Sequence, residues 1–530
     1  MSPRRLLVAM SLASLAALYC AAGVSAAALA PASQQHLTVG IGEATEGRTL
    51  DPALASYVDT INVQSAFLAP LYTYGPSGAV PVLAAGAPII GAGGRTVTIK
   101  LRAARWSDGV AISSTDVATA LARARAKQNF FAAFVLGVTT TTPNARTVVF
   151  HLKHADPVFP LLLTMQLFTP VPAHVIKTSK ERWTVAGTMV SSGPFVLKSS
   201  TRQQLVGVRN PRYVRAGRVH LKQLTLRSTA WAGAASSQKL YIKRVLDAVF
   251  PRTIDLRNPS PALLKQSLRY SRTSAEAQYL YLNTTNGKLA DPRIRRGIAL
   301  AIDRARTAST RPGDKALSTV LPGDLPGSAA ITSGTRLLNT AGTPDTAAAL
   351  AQLAAGAWNT STVLNLEYSS DSASAGFLAA GIQTQLAAVG VRVVLKPLPG
   401  DVIASPGHGI SPVGSSVDML LQGWVLDYPD PFNFYQLFVC HNVKNGLNAS
   451  NFCDPSFDAA LQSLATEFSF PKRVVAYRGI EEKLTGPEGS FPVVPLYSPV
   501  IDTLVHTWVR GFKINSAGVI DWDSIAVTKH

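Results

Sequence analysis

Strand-like and helix-like segments alternate along the whole chain, and this alternation restricts its possible folds more than any other feature. Apolar residues occupy every second position at 37–41, 97–101, 148–152 and 279–283, as in half-buried strands. Strand patterns at 364–368 and 391–395 enclose a helix whose predicted buried stripe is Phe377, Leu378, Ile382 and Leu386. Such strand–helix–strand units are typical of mixed α/β lobes. Because the 530 residues exceed the roughly 250–300 that one core holds, we expect two or three lobes.

Two helix starts are marked by capping residues. Ser113 to Asp116 forms a capping box, in which a hydroxyl and a carboxylate satisfy the first free N–H groups of a helix. Asp291 followed by Pro292 suits an N-cap and the first helical position. The second helix carries Ile294, Ile298, Ala301 and Ile302 on one face, which predicts its buried side.

Residues 1–26 have the pattern of a secretory signal peptide. Arg4 and Arg5 precede an apolar stretch over 6–22, and small residues at 24–26 form a cleavage site. The alternatives are a retained membrane anchor, a twin-arginine signal, or a lipoprotein in which Cys20 carries the lipid. We therefore expect an exported protein of the periplasm or the outer face of the membrane or cell wall, with lipid anchoring left open.

The mature chain would keep two cysteines, Cys440 and Cys453. Both lie in one short polar segment, and an oxidising compartment favours their pairing. Closing a loop of this length stabilises a fold by about 3 kcal/mol in the chain-entropy model. The alternative is two unpaired thiols.

The formal net charge is +19, but the basic residues are scattered. The densest group is Arg293, Arg295 and Arg296, and no basic run alternates with aromatic residues. This distribution argues against nucleic-acid binding and fits attraction to an anionic cell envelope.

No catalytic or metal-binding pattern stands out. None of the nine histidines falls in a metalloprotease helix motif, and His151 and His154 lie three apart at the end of a strand, where side chains at that spacing face opposite ways. A Gly-x-Ser-x-Gly motif is absent, and Gly40-Ile41-Gly42 lacks the third glycine of a dinucleotide site. We expect a protein that is not an enzyme and that uses neither a metal nor a cofactor.

Seven short motifs lie between residues 37 and about 515. Together, and in this order, they resemble the family 5 extracellular solute-binding proteins, which are the peptide-type binding subunits of ABC importers. The motifs are Leu50-Asp51-Pro52, Trp106-Ser107-Asp108-Gly109, Ser192-Gly193-Pro194-Phe195, Ala301-Ile302-Asp303-Arg304, Ile382-Gln383 with Gly390-Val391, Gly423-Trp424 with Asp427-Tyr428-Pro429-Asp430-Pro431, and Pro495-Leu496-Tyr497. Each motif alone is weak and has a structural explanation, such as a turn with a packed indole for the second.

The resemblance implies an α/β fold of the periplasmic-binding-protein type II, large peptide-binding class. Two lobes would close on a ligand like a clamp, with a third domain packed on the first lobe. The implied first lobe comprises 27–75, 190–280 and 496–530, the extra domain 76–189, and the second lobe 281–495. The chain would cross between lobes near residues 280 and 495.

Asp427 is the principal site residue that the resemblance implies. In peptide-binding members, the aspartate three residues after this tryptophan holds the α-ammonium group of the ligand, and Trp424 and Asp427 keep that spacing. A buried ammonium needs such a partner, since an unpaired buried ion is very costly. We expect Val425 and Tyr428 to contact ligand too. The alternatives are that Asp427 only caps the turn at 428–431 and that Trp424 fills the core.

The segment at Ala69 and Leu71 would lie at the cleft edge, where members of the family can pair with a peptide backbone by strand addition. Two departures weaken the match: Ala69 replaces an acidic residue that some members carry, and Pro70 removes one backbone donor. In addition, Leu421 stands where some oligopeptide binders place an arginine for the peptide carboxylate.

The leading hypothesis is a monomeric binding protein that captures peptides and delivers them to the membrane permease of an ABC importer. One alternative keeps the fold but binds a metal chelate, haem, a sugar or another solute. Others are a sensory or adhesive surface protein, or a secreted hydrolase.

Overall fold

The computed structural model describes residues 28–41, 49–55, 58–75, 78–127, 130–228, 233–250, 259–309, 313–334, 336–404, 417–444, 446–515 and 517–530. The predicted signal peptide and Cys20 lie outside these residues. Within the described ranges, no helix has the length and apolar character needed to cross a membrane.

The strands of the described residues, in chain order, are β1 (His36–Ile41), β2 (Tyr72–Gly75), β3 (Gly78–Pro81), β4 (Ile89–Gly91), β5 (Thr96–Lys100), β6 (Thr139–Asn144), β7 (Thr147–His151), β8 (Phe195–Ser200), β9 (Gln204–Arg209), β10 (Gln223–Ser228), β11 (Ala248–Val249), β12 (Ser267–Thr273), β13 (Glu276–Leu282), β14 (Lys315–Ala316), β15 (Val363–Ser369), β16 (Arg392–Leu398), β17 (Met419–Val425), β18 (Val493–Ser498), β19 (Val500–His506), β20 (Val509–Arg510) and β21 (Ala526–Val527).

The α-helices of the same residues are α1 (Val58–Phe67), α2 (Ser114–Lys127), α3 (Phe159–Leu162), α4 (Ala173–Ser179), α5 (Gly233–Ile242), α6 (Pro261–Lys265), α7 (Pro292–Ala301), α8 (Arg304–Ala308), α9 (Ser328–Ile331), α10 (Thr346–Ala355), α11 (Ala373–Ala387), α12 (Gly400–Ala404), α13 (Phe432–Tyr435), α14 (His441–Lys444), α15 (Pro455–Gln462) and α16 (Phe470–Thr485).

The first lobe is built on a seven-stranded sheet of order β12-β19-β11-β1-β10-β9-β8. β1 lies inside this sheet and pairs in parallel with β10 and β11, while β12 and β19 form an antiparallel edge. The strands come from the beginning, the middle and the end of the chain, so the first lobe is discontinuous in sequence.

The second lobe is built on a six-stranded sheet of order β14-β18-β13-β17-β15-β16. β17 pairs with β13 antiparallel and with β15 in parallel, so it is held on both sides. The C-terminal end of β17 leads directly into the residues at 426–431.

The extra domain is built on a four-stranded sheet of order β4-β5-β7-β6, against which α2 packs. The carboxylate half of the predicted capping box is present, since the Ser113 N–H donates to the Asp116 carboxylate at 2.8 Å just before α2 begins, whereas the Ser113 hydroxyl donates to the same carboxylate at 3.4 Å. The fully buried Trp106 donates its indole N–H to the same carboxylate at 3.2 Å. One apolar core runs continuously through this domain and the first lobe, whereas the second lobe has cores of its own.

The chain passes between the two large sheets at residues 274–275, between β12 and β13, and at Pro499, between β18 and β19. Both passages lie a few residues from the predicted positions near 280 and 495, because β13 and β18 belong wholly to the second sheet. The two passages are bonded together: the Ser274 N–H donates to the Pro499 carbonyl at 2.8 Å. Ser498 Oγ lies 2.7 Å from the carbonyl oxygens of Ser274 and Glu276. The domain boundaries themselves stay a prediction.

Two predicted helices have different outcomes. Asp291 caps α7 by accepting the Arg293 N–H at 2.8 Å, and the predicted apolar stripe of that helix is buried. In α11, Leu378, Ile382 and Leu386 are buried, but Phe377 is 70% exposed. The assignment of Phe377 to the buried stripe was wrong, because adjacent positions in a helix point about 100° apart and Leu378 takes the inward one.

Candidate functional site

A cavity of about 680 Å³ lies where the two lobes face each other. The first lobe and its neighbours contribute α1, the hairpin strand β2 and the C-terminal segment at 513–523, whereas the second lobe contributes residues 425–429. Aromatic residues from both sides line it, including Tyr72, Tyr74, Tyr428 and Trp522. Its volume and its mixture of apolar walls with a few charges are those of a small-molecule site.

Asp427 lines this cavity from the second lobe and is half-buried. Its Oδ2 accepts a hydrogen bond from the Asn433 side chain at 3.0 Å. Asn433 Oδ1 in turn accepts the Asp427 backbone N–H at 3.1 Å and the Trp424 indole N–H at 3.0 Å. The fully buried Asn433 at the start of α13 therefore ties the end of β17 to the carboxylate and fixes its direction.

The electrostatic state of Asp427 follows from this environment. Burial raises the pKa of its carboxyl from the usual 3.8 to about 7, while the hydrogen bond from Asn433 acts in the opposite direction. No cationic side chain of the described ranges forms an ion pair with it. A positively charged ligand group would supply the missing partner and stabilise the ionised form.

Two neighbours of Asp427 also reach the cavity. Val425 is 37% exposed, and Tyr428 lies at the boundary of the cavity with its ring packed edge-on against Phe134, 5.6 Å between centroids. Trp424 is placed differently: its ring packs against the core of the second lobe and does not line the cavity. Trp424 therefore supports Asp427 through Asn433 and does not form part of the wall.

A buried ionic cluster holds the loop that carries Asp427. Asp430 is fully buried and accepts from Arg473 at 2.7 Å and from the Tyr477 hydroxyl at 2.7 Å. Both partners lie on α16, so this helix anchors the loop at 426–431 from behind. The cluster is a positioning element, and its residues do not line the cavity.

Ala69 and Leu71 do not line the cavity. Both are buried, at 2% and 0% exposure. The Ala69 N–H donates to Ser192 Oγ at 2.9 Å, and the Leu71 carbonyl accepts from Val82 and Ala84 at 2.9 and 3.2 Å. The cavity is lined instead by their neighbours Pro70, Tyr72 and Thr73. A contact between ligand and this edge would therefore fall on β2.

Cys440 and Cys453 are joined by a disulfide with a Cα–Cα distance of 4.4 Å. The bridge links the start of α14 to the segment before α15, on the second lobe. No cluster of three or more histidine, cysteine or acidic side chains suited to a metal ion occurs among the residues that the structure describes.

Three residues of the site could not be found from sequence. Tyr72 and Trp522 line the cavity from separate elements, and the buried Asn433 holds Asp427 from behind. Asn433 is six residues from Asp427, a spacing that predicts no contact unless the turn between them is known. Trp522 is held by Asn62 and Ser65 of α1, more than 450 positions earlier in the chain.

Comparison with protein families gives a match to the model described as bacterial extracellular solute-binding proteins, family 5 Middle, over residues 78–446. Among curated proteins, the chain is 27% identical over 360 residues to the probable di/tripeptide-binding protein 5 of Pseudomonas aeruginosa, covering 64% of this chain and 62% of that protein. It is 25% identical over 402 residues to the periplasmic murein peptide-binding protein of Escherichia coli, covering 74% of this chain and 71% of that one. The alignment with the Pseudomonas protein thus spans less than two thirds of its length.

Solved structures have the same fold over nearly the whole chain. The unliganded open form of a periplasmic murein tripeptide-binding protein matches with a TM-score of 0.76 at 24% identity, covering 96% of this chain and 99% of that one. An oligopeptide-binding protein of clavulanic acid biosynthesis matches with a TM-score of 0.80 at 20% identity, covering 93% and 96%. These likenesses confirm the predicted fold class.

Proposed function

Because the chain belongs to the bacterial extracellular solute-binding proteins of family 5, we propose that it captures peptides by their α-amino group between its two lobes. It would then deliver them to the membrane permease of an ABC importer, and it would bind its ligand without changing it chemically. The predicted export signal at residues 1–26 supports a place outside the cytoplasm. Relatives described as di/tripeptide-binding and murein peptide-binding proteins favour peptides over other solutes.

The half-buried Asp427 carboxylate is the observation that carries this proposal. It lines the cavity, it is held in direction by Asn433, and its surroundings disfavour its charge in the absence of a cation. A peptide ammonium provides the cation and up to three hydrogen-bond donors. Removing the carboxylate would leave that ammonium buried and unpaired, which costs about 3–5 kcal/mol.

The geometry between the lobes supports capture by closure. Only a closed molecule contacts a ligand from both walls, so ligand binding shifts the equilibrium towards closure. The two passages between the lobes at 274–275 and Pro499 lie side by side and are cross-bonded, as expected for a hinge. A permease that recognises the closed form would then distinguish loaded from empty protein.

Calorimetry with alanine peptides of two to five residues tests the proposal. We expect saturable binding of at least one length, loss of binding when its α-amine is acetylated, and binding weaker by at least about 100-fold in Asp427→Asn. Asp291→Asn is the matched control, since asparagine caps a helix as well as aspartate does and Asp291 lies outside the cavity. Equal affinity for free and acetylated peptides would refute recognition of the amine and favour a non-peptide ligand. Cleavage products after incubation would refute binding without catalysis.

A further inference from the structure

The extra domain meets the second lobe at two aromatic contacts between segments that lie far apart in the chain. Phe134 of the extra domain packs edge-on against Tyr428, with ring centroids 5.6 Å apart. The second contact joins Gly94, in the turn between β4 and β5, to Phe468, two residues before α16. A cavity of about 480 Å³ lies along the same interface and is lined by residues of both parts. Because a continuous core is close-packed, a gap of this size indicates two parts that can separate.

Gly94 forms a socket for the ring of Phe468. A Cβ atom at position 94 would lie 2.2 Å from Cζ of Phe468 and 3.1 Å from the Cβ atom of Ala155. Carbon atoms in contact keep about 3.5–4.0 Å apart, so only glycine leaves room for the ring at this position. The backbone favours glycine as well, since φ is +87°, in the left-handed region.

The loop that carries Phe468 is bonded to the loop that carries Asp427. Arg473 donates to the Glu467 carbonyl at 3.2 Å and to the Asp430 carboxylate at 2.7 Å. Arg473 thus joins the residue before Phe468 to the site loop at 426–431. Whatever seats or displaces Phe468 therefore acts on residues that are directly bonded to the site loop.

The contact between Gly94 and Phe468 belongs to one relative orientation of the lobes. The extra domain shares a continuous apolar core with the first lobe, so these two parts move together. The second lobe has its own cores and is joined to the first at 274–275 and Pro499. A rotation of the second lobe about these passages moves Phe468 relative to Gly94.

We propose that Gly94 and Phe468 form a closure contact, which makes the extra domain a working part of the clamp. Neither residue lines the ligand cavity. The contact raises affinity by stabilising the closed state, because the apparent affinity follows the fraction of molecules in the binding-competent state. The inference rests on closure of the lobes and does not depend on the chemistry of the ligand.

Gly94→Ala tests the closure contact by filling the socket. The added methyl group displaces the Phe468 ring, and such overpacking should lower the affinity for trialanine about 5- to 100-fold, as measured by calorimetry. Gly93→Ala is the matched control. Gly93 also has a positive φ, of +62°, but no heavy atom of the described residues lies within 4 Å of a Cβ atom built there. Both variants carry backbone strain, so only the loss specific to Gly94→Ala reports the contact.

Phe468→Ala should cancel the effect of Gly94→Ala. It removes the ring that the methyl group meets, so the double variant should bind trialanine like Phe468→Ala alone. A local defect in the turn between β4 and β5 would not be relieved by a substitution in the other lobe. Additive losses in the double variant, or equal affinities in Gly93→Ala and Gly94→Ala, overturn the proposal. Circular dichroism checks that every variant folds.

Pulsed electron spin resonance measures closure with and without ligand. Spin labels at Val185→Cys and Val475→Cys occupy exposed positions of the extra domain and the second lobe, at 45% and 67% exposure. We expect a short-distance population that trialanine increases and that Gly94→Ala, but not Gly93→Ala, reduces. If trialanine does not bind, the proposed function fails, whereas the short-distance population of the empty protein still tests the contact. Absence of that population, or equal populations in the two glycine variants, overturns the proposal.

Discussion

The acid–base behaviour of Asp427 gives peptide binding a definite pH dependence. The carboxyl has a pKa of about 7 in the free protein, whereas the ammonium of a peptide loses its proton near pH 8. Both charges coexist best between these values. We expect affinity for trialanine to rise from about pH 5 to pH 7 and to fall above about pH 8, as measured by calorimetry across that range. In Asp427→Asn the rise between pH 5 and pH 7 should disappear; if it persists, another group controls it.

The same group should lower the stability of the empty protein at neutral pH. Because the folded pKa lies above the unfolded value of 3.8, the native state binds more protons than the unfolded state between about pH 4 and pH 7. Its contribution to stability is therefore favourable at low pH and is lost as pH rises through about 7. We expect Asp427→Asn to raise the melting temperature at pH 8 and to have a smaller effect at pH 4. An equal change at both values would contradict the burial of this carboxyl.

Asn433 is a positioning residue, and its effect should be visible in the titration of Asp427. Asn433→Ala removes the donor that favours the ionised carboxylate, so the pKa of Asp427 should rise further. The rising limb of the affinity–pH curve should then move to higher pH. A merely structural role would lower stability and leave that curve in place, so the two explanations separate.

At the scale of elements, α16 holds the site loop through a buried ion pair. Arg473 and Asp430 are at most 3% exposed, and Arg473→Met would leave the Asp430 carboxylate buried without its cation. Breaking such a pair costs about 3–5 kcal/mol. Urea unfolding should show this loss, whereas Lys472→Met, one position away on the exposed face, should change stability by less than about 0.5 kcal/mol. A small loss in Arg473→Met would show that water or Tyr477 compensates the carboxylate.

Elements defined by local signals could be predicted from sequence, and those defined by distant contacts could not. The capping carboxylates of Asp116 and Asp291 accept N–H groups only two or three positions away, so the starts of both helices could be predicted. The surroundings of Ala69 depend on Ser192, 123 positions later, which is why its burial was missed. The role proposed for Asp427 could be predicted from a family motif. Asn433, which orients Asp427, lies on the other side of a turn, and no local sequence pattern predicts the path of that turn. Tyr270 and Phe512 pack against each other only because β12 and the C-terminal segment share one lobe.

For the whole molecule, the contact between Phe134 and Tyr428 couples the extra domain to the second lobe. It joins parts that must come together on closure, and Phe134 does not line the ligand cavity. An aromatic pair contributes about 0.5–1.5 kcal/mol beyond its buried area.

Phe134→Ala should therefore reduce the population of the closed state and lower the affinity for trialanine about 2- to 13-fold, although no ligand contact is lost. Small-angle scattering should show a larger radius of gyration at subsaturating peptide. Phe377→Ala, which removes a 70% exposed ring from the outer face of the second lobe, is the control and should change neither quantity. Unchanged affinity in Phe134→Ala would mean that closure is governed by the hinge and the two large lobes alone.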